Sequence, residues 1–126
     1  SNFTGGAFMS KLEQAEMPLF TKTFDFVAWL TPATTHFPRL HRQTVTARLL
    51  NAALDFQECI LEANSLRGAN RLARLQLADG HLSKVRLYLR LAHRWHWLNP
   101  GQYEHAGRQV AELGRLLGGW QRITQA

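Results

Sequence analysis

Apolar residues that recur at alternating spacings of four and three constrain this chain more than any other feature. Val45, Leu49, Ala52, Phe56, Cys59 and Ala63 form one such series, and Leu75, Ala78, Leu82, Val85, Leu89 and Ala92 form another. Tyr103, Ala106, Val110, Leu113, Leu117 and Trp120 continue the pattern near the C-terminal end. Spacings of three and four return to the same side of a helix, because an α-helix turns once in about 3.6 residues. Each series is therefore one buried stripe of one helix. An earlier stretch is looser, with Phe20, Phe24 and Val27 in one row and Leu19, Phe26 and Leu30 in a neighbouring row. No segment alternates apolar and polar residues with the period of two that a half-buried strand requires.

Punctuation residues divide the stripes into four helices. The first is expected over residues 18–35, with Pro18 at the first helical position and Pro32 kinking or ending it. Phe37-Pro38-Arg39 marks a break, because the residue before proline avoids the helical region. The second helix is expected over residues 43–64, followed by a turn through Ser65-Leu66-Arg67-Gly68-Ala69-Asn70. The third spans residues 71–95. Asn99-Pro100-Gly101-Gln102 then gives a start signal, with Asn as cap, Pro next and Gln three residues on, and the fourth helix runs to about Thr124. Short links between long amphipathic helices specify an all-α, antiparallel, up-down four-helix bundle. One such domain fits residues 9–126. Residues 1–8 (SNFTGGAF) precede Met9 and read as a vector-derived remnant. There is no internal repeat and no low-complexity segment.

The formal charge is +6, so polyanions are the expected partners. Residues 1–66 carry 5 Lys/Arg against 6 Asp/Glu, whereas residues 67–126 carry 10 against 3. Only Lys11, Lys22 and Lys84 of the 15 basic residues are lysine. Arginine grips phosphate through two parallel N–H bonds and stacks on bases, which favours RNA or a protein interface. The single cysteine, Cys59, excludes an internal disulfide. No run of about 18 apolar residues appears, so no membrane role is expected and the cytoplasm is the expected compartment.

Arg86, Arg90 and Arg94 lie four apart and share a helix face. Like charges at this spacing repel, so something anionic must offset them: the acidic stripe Asp55, Glu58 and Glu62 of the second helix, or a nucleic-acid or partner-protein surface. Arg67, Arg71 and Arg74 form a second group around the turn, away from that stripe and better placed for phosphate contact. Arg108, Arg115 and Arg122 recur every seven residues on the fourth helix, where Glu112 can pair with Arg115. Trp95 and Trp97 at the end of the third helix either stack on bases or plug the bundle. Gly107, Ala111, Gly114 and Gly118 form a row of small residues beside the core stripe. Each helical glycine costs about 1 kcal/mol against alanine, so close approach is expected there, within the bundle or between subunits.

Catalytic signals are weaker. His93 and His96 are only two potential ligands, and zinc wants three or four, so no metal and no cofactor is expected. Cys59 lies on an apolar stripe and reads as packing. Arg86 with His93, or Arg90 with His96, matches the Arg-to-His spacing of helical HEPN-type ribonucleases, with His as acid/base and Arg on the phosphorane. That motif is short in a chain rich in arginine.

One resemblance adds to this reading. Phe37-Pro38-Arg39, Ala78-Asp79-x-x-Leu82, Arg86-x-Tyr88-Leu89-Arg90-Leu91-Ala92, Gln102-Tyr103-Glu104 and Glu112-Leu113-Gly114-Arg115-Leu116-Leu117-Gly118-Gly119-Trp120 resemble the accessory variability determinant (Avd) proteins of diversity-generating retroelements, over about residues 17–123. The resemblance implies a four-helix bundle assembled as a homopentameric barrel with a basic surface. It implies RNA and DNA binding, association with a reverse transcriptase, and support of template-RNA copying and mutagenic retrohoming, without catalysis. Arg86 and Arg90 match the family's helix-three arginines; Gly114, Arg115, Gly118 and Trp120 match its helix-four signature. The small-residue row, with Trp120, then reads as close packing near a subunit contact. The ribosomal-RNA intervening-sequence proteins are a wider kinship that implies no reverse transcriptase; an adaptor of that kind, or a helical ribonuclease, is the alternative.

Overall fold

The structure, a computed structural model, describes residues 11–126, with side chains from Pro18 onward. The expected remnant at residues 1–8 lies outside the described residues. Four long helices follow one another: α1 (Lys11–Ala33), α2 (Ala47–Asn64), α3 (Gly68–Arg94) and α4 (Pro100–Gln125). No strand occurs among the described residues.

α1 starts earlier than its proline suggests. Pro18 sits inside the helix rather than at its first position. Proline removes only one N–H, and the preceding Lys-Leu-Glu-Gln-Ala-Glu-Met run consists mostly of strong helix formers. The other end agrees with expectation, since the helix stops one residue after Pro32. A 3₁₀ turn at Thr34–His36 follows, and Phe37 turns extended ahead of Pro38 (φ −68°, ψ 151°). A second 3₁₀ turn (Arg39–His41) and a π turn (Arg42–Thr46) lead into α2, so regular α geometry begins later than residue 43. α3 begins at Gly68, three residues earlier than the turn signals indicate, because the Arg71 amide already bonds to the Arg67 carbonyl at 3.3 Å. α4 begins where the sequence places it. The Gln102 amide donates to Asn99 Oδ1 at 2.8 Å, and the Asn99 amide donates to Gln102 Oε1 at 3.0 Å, a complete capping box.

The helices form a ring in chain order. α2 packs on α3, α3 on α4, α4 on α1 and, more sparsely, α1 on α2. Phe20 meets Trp120 while Trp29 meets His105, so α1 and α4 run antiparallel. The three stripes converge on the axis: Leu49, Phe56, Leu75, Leu82, Val85, Leu113 and Leu117 are each under 2% exposed. Burying such side chains stabilises the fold by about 1.5–3 kcal/mol apiece. In the looser first row the outcome is split. Leu19, Phe26 and Leu30 are buried, but Phe24 remains 64% exposed at the edge of α1.

Candidate nucleic-acid interface

At the end of the bundle formed by the α2–α3 turn, arginine serves the fold. Arg71 is 3% exposed. Its Nε donates to the Ala63 carbonyl at 2.9 Å and its Nη2 to the Asn64 carbonyl at 3.0 Å. These are the last two carbonyls of α2, beyond the reach of the regular helical donors, although the Ala63 oxygen also accepts from the Leu66 amide at 3.1 Å. The guanidinium also lies 5.4 Å from the ring centroid of Trp120, a fully buried residue that meets Phe20 edge-on at 5.8 Å. The expected phosphate contact by Arg71 is therefore corrected: the side chain closes the end of α2. Arg74 lies 3.4 Å from Glu62. The acidic stripe runs toward this turn, so its last carboxylate, Glu62, reaches Arg74. Of that group only Arg67 stays exposed with no partner among the described residues.

Arg86, Arg90 and Arg94 point elsewhere. Arg86 and Arg90 line a groove between α3 and α4 together with Tyr103, Gly107 and Ala111. Among the described residues no carboxylate pairs with any of the three, so pairing to Asp55, Glu58 and Glu62 does not occur. The row sits on the α4 side of its helix, whereas His81, Lys84 and Tyr88 face α2.

The glycine row of α4 forms part of the same groove. A Cβ at Gly114 would lie 2.6 Å from Arg86 Nη2, so the missing side chain is what lets that guanidinium cross α4. At Gly107 a Cβ would meet nothing within 4 Å, and at Gly118 only the tip of Arg122 at 3.5 Å. Close approach of α3 is therefore confined to Gly114, where Leu82 Cδ2 also comes within 3.6 Å, while Gly107 and Gly118 meet no neighbouring helix. Gly107 and Ala111 are exposed. Arg115 is held by Glu112, with Nε–Oε1 2.8 Å and Nη2–Oε2 2.7 Å, and Lys22 adds a third charge at 3.7 Å from Glu112. The hydrogen bonds from Arg115 hold the Glu112 carboxyl below its ordinary value and lift the Arg115 guanidinium above its own.

The opposite end of the bundle differs in kind. Residues 26–54 and 80–103, which supply most of it, contain no Asp or Glu and seven Lys or Arg; Glu104, in the second turn of α4, follows directly and pairs with Arg108 at 2.8 Å. Arg39, Arg42 and Arg94 are exposed there, along with His36, His41 and His96. Four rings interlock among them. Trp97 lies against Phe37 (5.3 Å), stacks on His41 (5.4 Å, 18° between planes) and tilts against Trp95 (5.0 Å). Trp97 is thus half-buried and Trp95, outermost, is 45% exposed.

Backbone geometry fixes this arrangement. The His96 amide bonds to the His93 carbonyl at 3.0 Å and the Trp97 amide to the Ala92 carbonyl at 2.8 Å. That pair of bonds is a Schellman motif, and its left-handed position, usually glycine, is His96 at φ 62°. The reversal at His96 turns the chain between two tryptophans and brings their rings together. His93 stacks flat on Tyr103 (4.1 Å, 9°), which places its ring on the aromatic wall of the α3–α4 groove. Phe37, Arg39, His41 and Arg42 were not among the residues that spacing singled out. The long carboxylate-free run from Phe26 to Leu54 is the signal that would have found them.

Elsewhere little chemistry gathers. Cys59 is buried, and burial first, then Glu62, push its thiol up, which disfavours the reactive thiolate. Among the described residues no three His, Cys, Asp or Glu side chains cluster as metal ligands, and no helix is long and apolar enough to cross a membrane.

A family model described as bAvd-like matches residues 17–124. The chain belongs to the bAvd-like family. A comparison with curated proteins returns no match. In this bAvd-like chain the closing run of α4 has separable physical tasks. Leu113, Leu117 and Trp120 fill the core, Glu112 and Arg115 pair on the surface, and Gly114 makes room for Arg86.

Proposed function

We propose that this bAvd-like protein is a non-catalytic nucleic-acid-binding accessory of a retroelement reverse transcriptase, holding template RNA or its DNA copy during error-prone copying and retrohoming. The observation that supports the reading is that Arg86, Arg90 and Arg94 on one face of α3, and Arg39 and Arg42 at the end where α3 stops, are all exposed and form no ion pair with a carboxylate among the described residues. A face of unpaired arginines binds phosphate without reading sequence. The exposed Gly107 and Ala111 beside that face suit close approach by another copy of the chain, in keeping with a pentameric assembly.

The deciding experiment is a gel shift of single-stranded RNA without added metal, at rising salt, with the RNA checked for cutting and the protein's mass measured by light scattering. Intact RNA should shift at low salt and be released steeply as salt rises. Replacing Arg86, Arg90 and Arg94 together by Gln should weaken binding at least ten-fold and lower the salt slope by about 3, roughly one per phosphate contact. RNA cleavage abolished by His96→Ala would replace this reading with the ribonuclease. Neither shift nor cleavage would replace it with a protein adaptor.

A further inference from the structure

Phosphate contact accounts for the arginines but not for the rings among them. Trp95 projects a large apolar face into solvent although Trp97, two residues on, is half-buried. An indole left 45% exposed is a large flat face that a partner's ring can cover. The ring is also held rather than loose. Trp97 supports it, and Trp97 is itself supported by Phe37 and His41. The left-handed residue between the two tryptophans carries backbone strain to keep the reversal in place. Three arginines, Arg39 and Arg42 from the α1–α2 connection and Arg94 from the last turn of α3, are exposed at the same end, within two stretches of chain lacking any Asp or Glu.

We infer that this end of the bundle is a stacking platform for an unpaired base, with Trp95 as the ring that meets the base and Arg39, Arg42 and Arg94 as contacts to the flanking phosphates. The inference rests on the nucleic-acid reading above and adds the form of the ligand, a single strand. A base in a duplex is already stacked on both faces and offers Trp95 nothing. An unpaired base offers a free face, and such stacking tolerates any sequence. The positive field selects a polyanion over an apolar protein segment.

The test uses the full chain and fluorescence anisotropy at low salt without metal. Three probes of about 12 nucleotides, within the usual range for single-strand sites, are compared: oligothymidylate, an abasic strand of equal charge, and a duplex. Wild type should bind oligothymidylate about ten-fold more tightly than the abasic strand, the size of one good stacking contact. Trp95→Ala should bring oligothymidylate down to the abasic level while leaving abasic affinity and thermal unfolding unchanged. Trp95→Phe should keep most of the preference. Equal binding of base-bearing and abasic strands by wild type, or a preference that survives Trp95→Ala, overturns the platform and leaves the phosphate-binding reading standing. Failure to bind any of the three probes overturns both.

Discussion

The two ends of the bundle use the same residue types for opposite purposes. At the α2–α3 end an arginine and a tryptophan are buried against each other: Arg71 closes α2 and lies over Trp120. At the α3–α4 end the arginines face solvent and a tryptophan stands 45% exposed. The left-handed turns contrast as well. Gly68, at φ +54°, occupies the first as a residue suited to it, whereas His96, at φ 62°, occupies the second at a cost. One end is built for stability, and the other carries exposure and strain that stability alone would remove. Residue type therefore says little about role here; the presence of carbonyls, carboxylates or open solvent around each side chain decides it.

The comparison can be broken first at Arg71. Arg71→Ala leaves two carbonyls of α2 without this donor and strips the cover from Trp120, so it should destabilise the protein by about 3 kcal/mol. Urea unfolding measures the loss, and nucleic-acid affinity of the folded protein should stay within about two-fold. A large loss of affinity with little loss of stability would mean that Arg71 is a binding residue after all. A smaller effect is expected from exchanging the turn residues. Gly68→Ala should cost about 1 kcal/mol through backbone strain alone, since a Cβ there meets no neighbour within 4 Å. His96→Gly should instead raise stability by about 0.5 kcal/mol, the relief of strain less the entropy that glycine adds to the unfolded chain. Equal destabilisation by both would contradict the assignment of strain to the α3–α4 end.

The smallest effect belongs to the surface pair on α4. The Glu112 carboxyl is held down by its hydrogen bonds from Arg115, so the folded state binds that proton less readily than the unfolded state. Its contribution is complete above the ordinary value of 4.5 and disappears as pH falls through the depressed folded value. Glu112→Gln should therefore leave thermal unfolding near neutral pH almost unchanged and flatten the acid side of the stability profile slightly. Exposed pairs are well solvated, which keeps the effect small.

Three of the four helices were legible from apolar spacing because their stripes are continuous, and every residue of the Leu75-to-Ala92 series is buried. α4 was legible to the residue because Asn99 and Gln102 cap it through local bonds. The start of α1 was less so, since one proline resembles a beginning while the residues before it still favour helix. The pairing of Arg115 with Glu112 could be read from a spacing of three on one helix. Nothing local distinguished Arg71 from Arg67, four residues away, yet one is buried and the other exposed.

The sequence by itself determined the helical periods, the family and the net positive charge, because each is carried by neighbours along the chain. Tertiary structure alone decided which arginines remain available. It turned Arg86 and Arg90 toward the glycine row of α4 rather than the carboxylates of α2, and it joined Phe37 and His41 to Trp97 across two distant connections. Ion pairing and stacking act over a few ångströms of space, and spacing along one helix does not specify which other helix will stand within that reach.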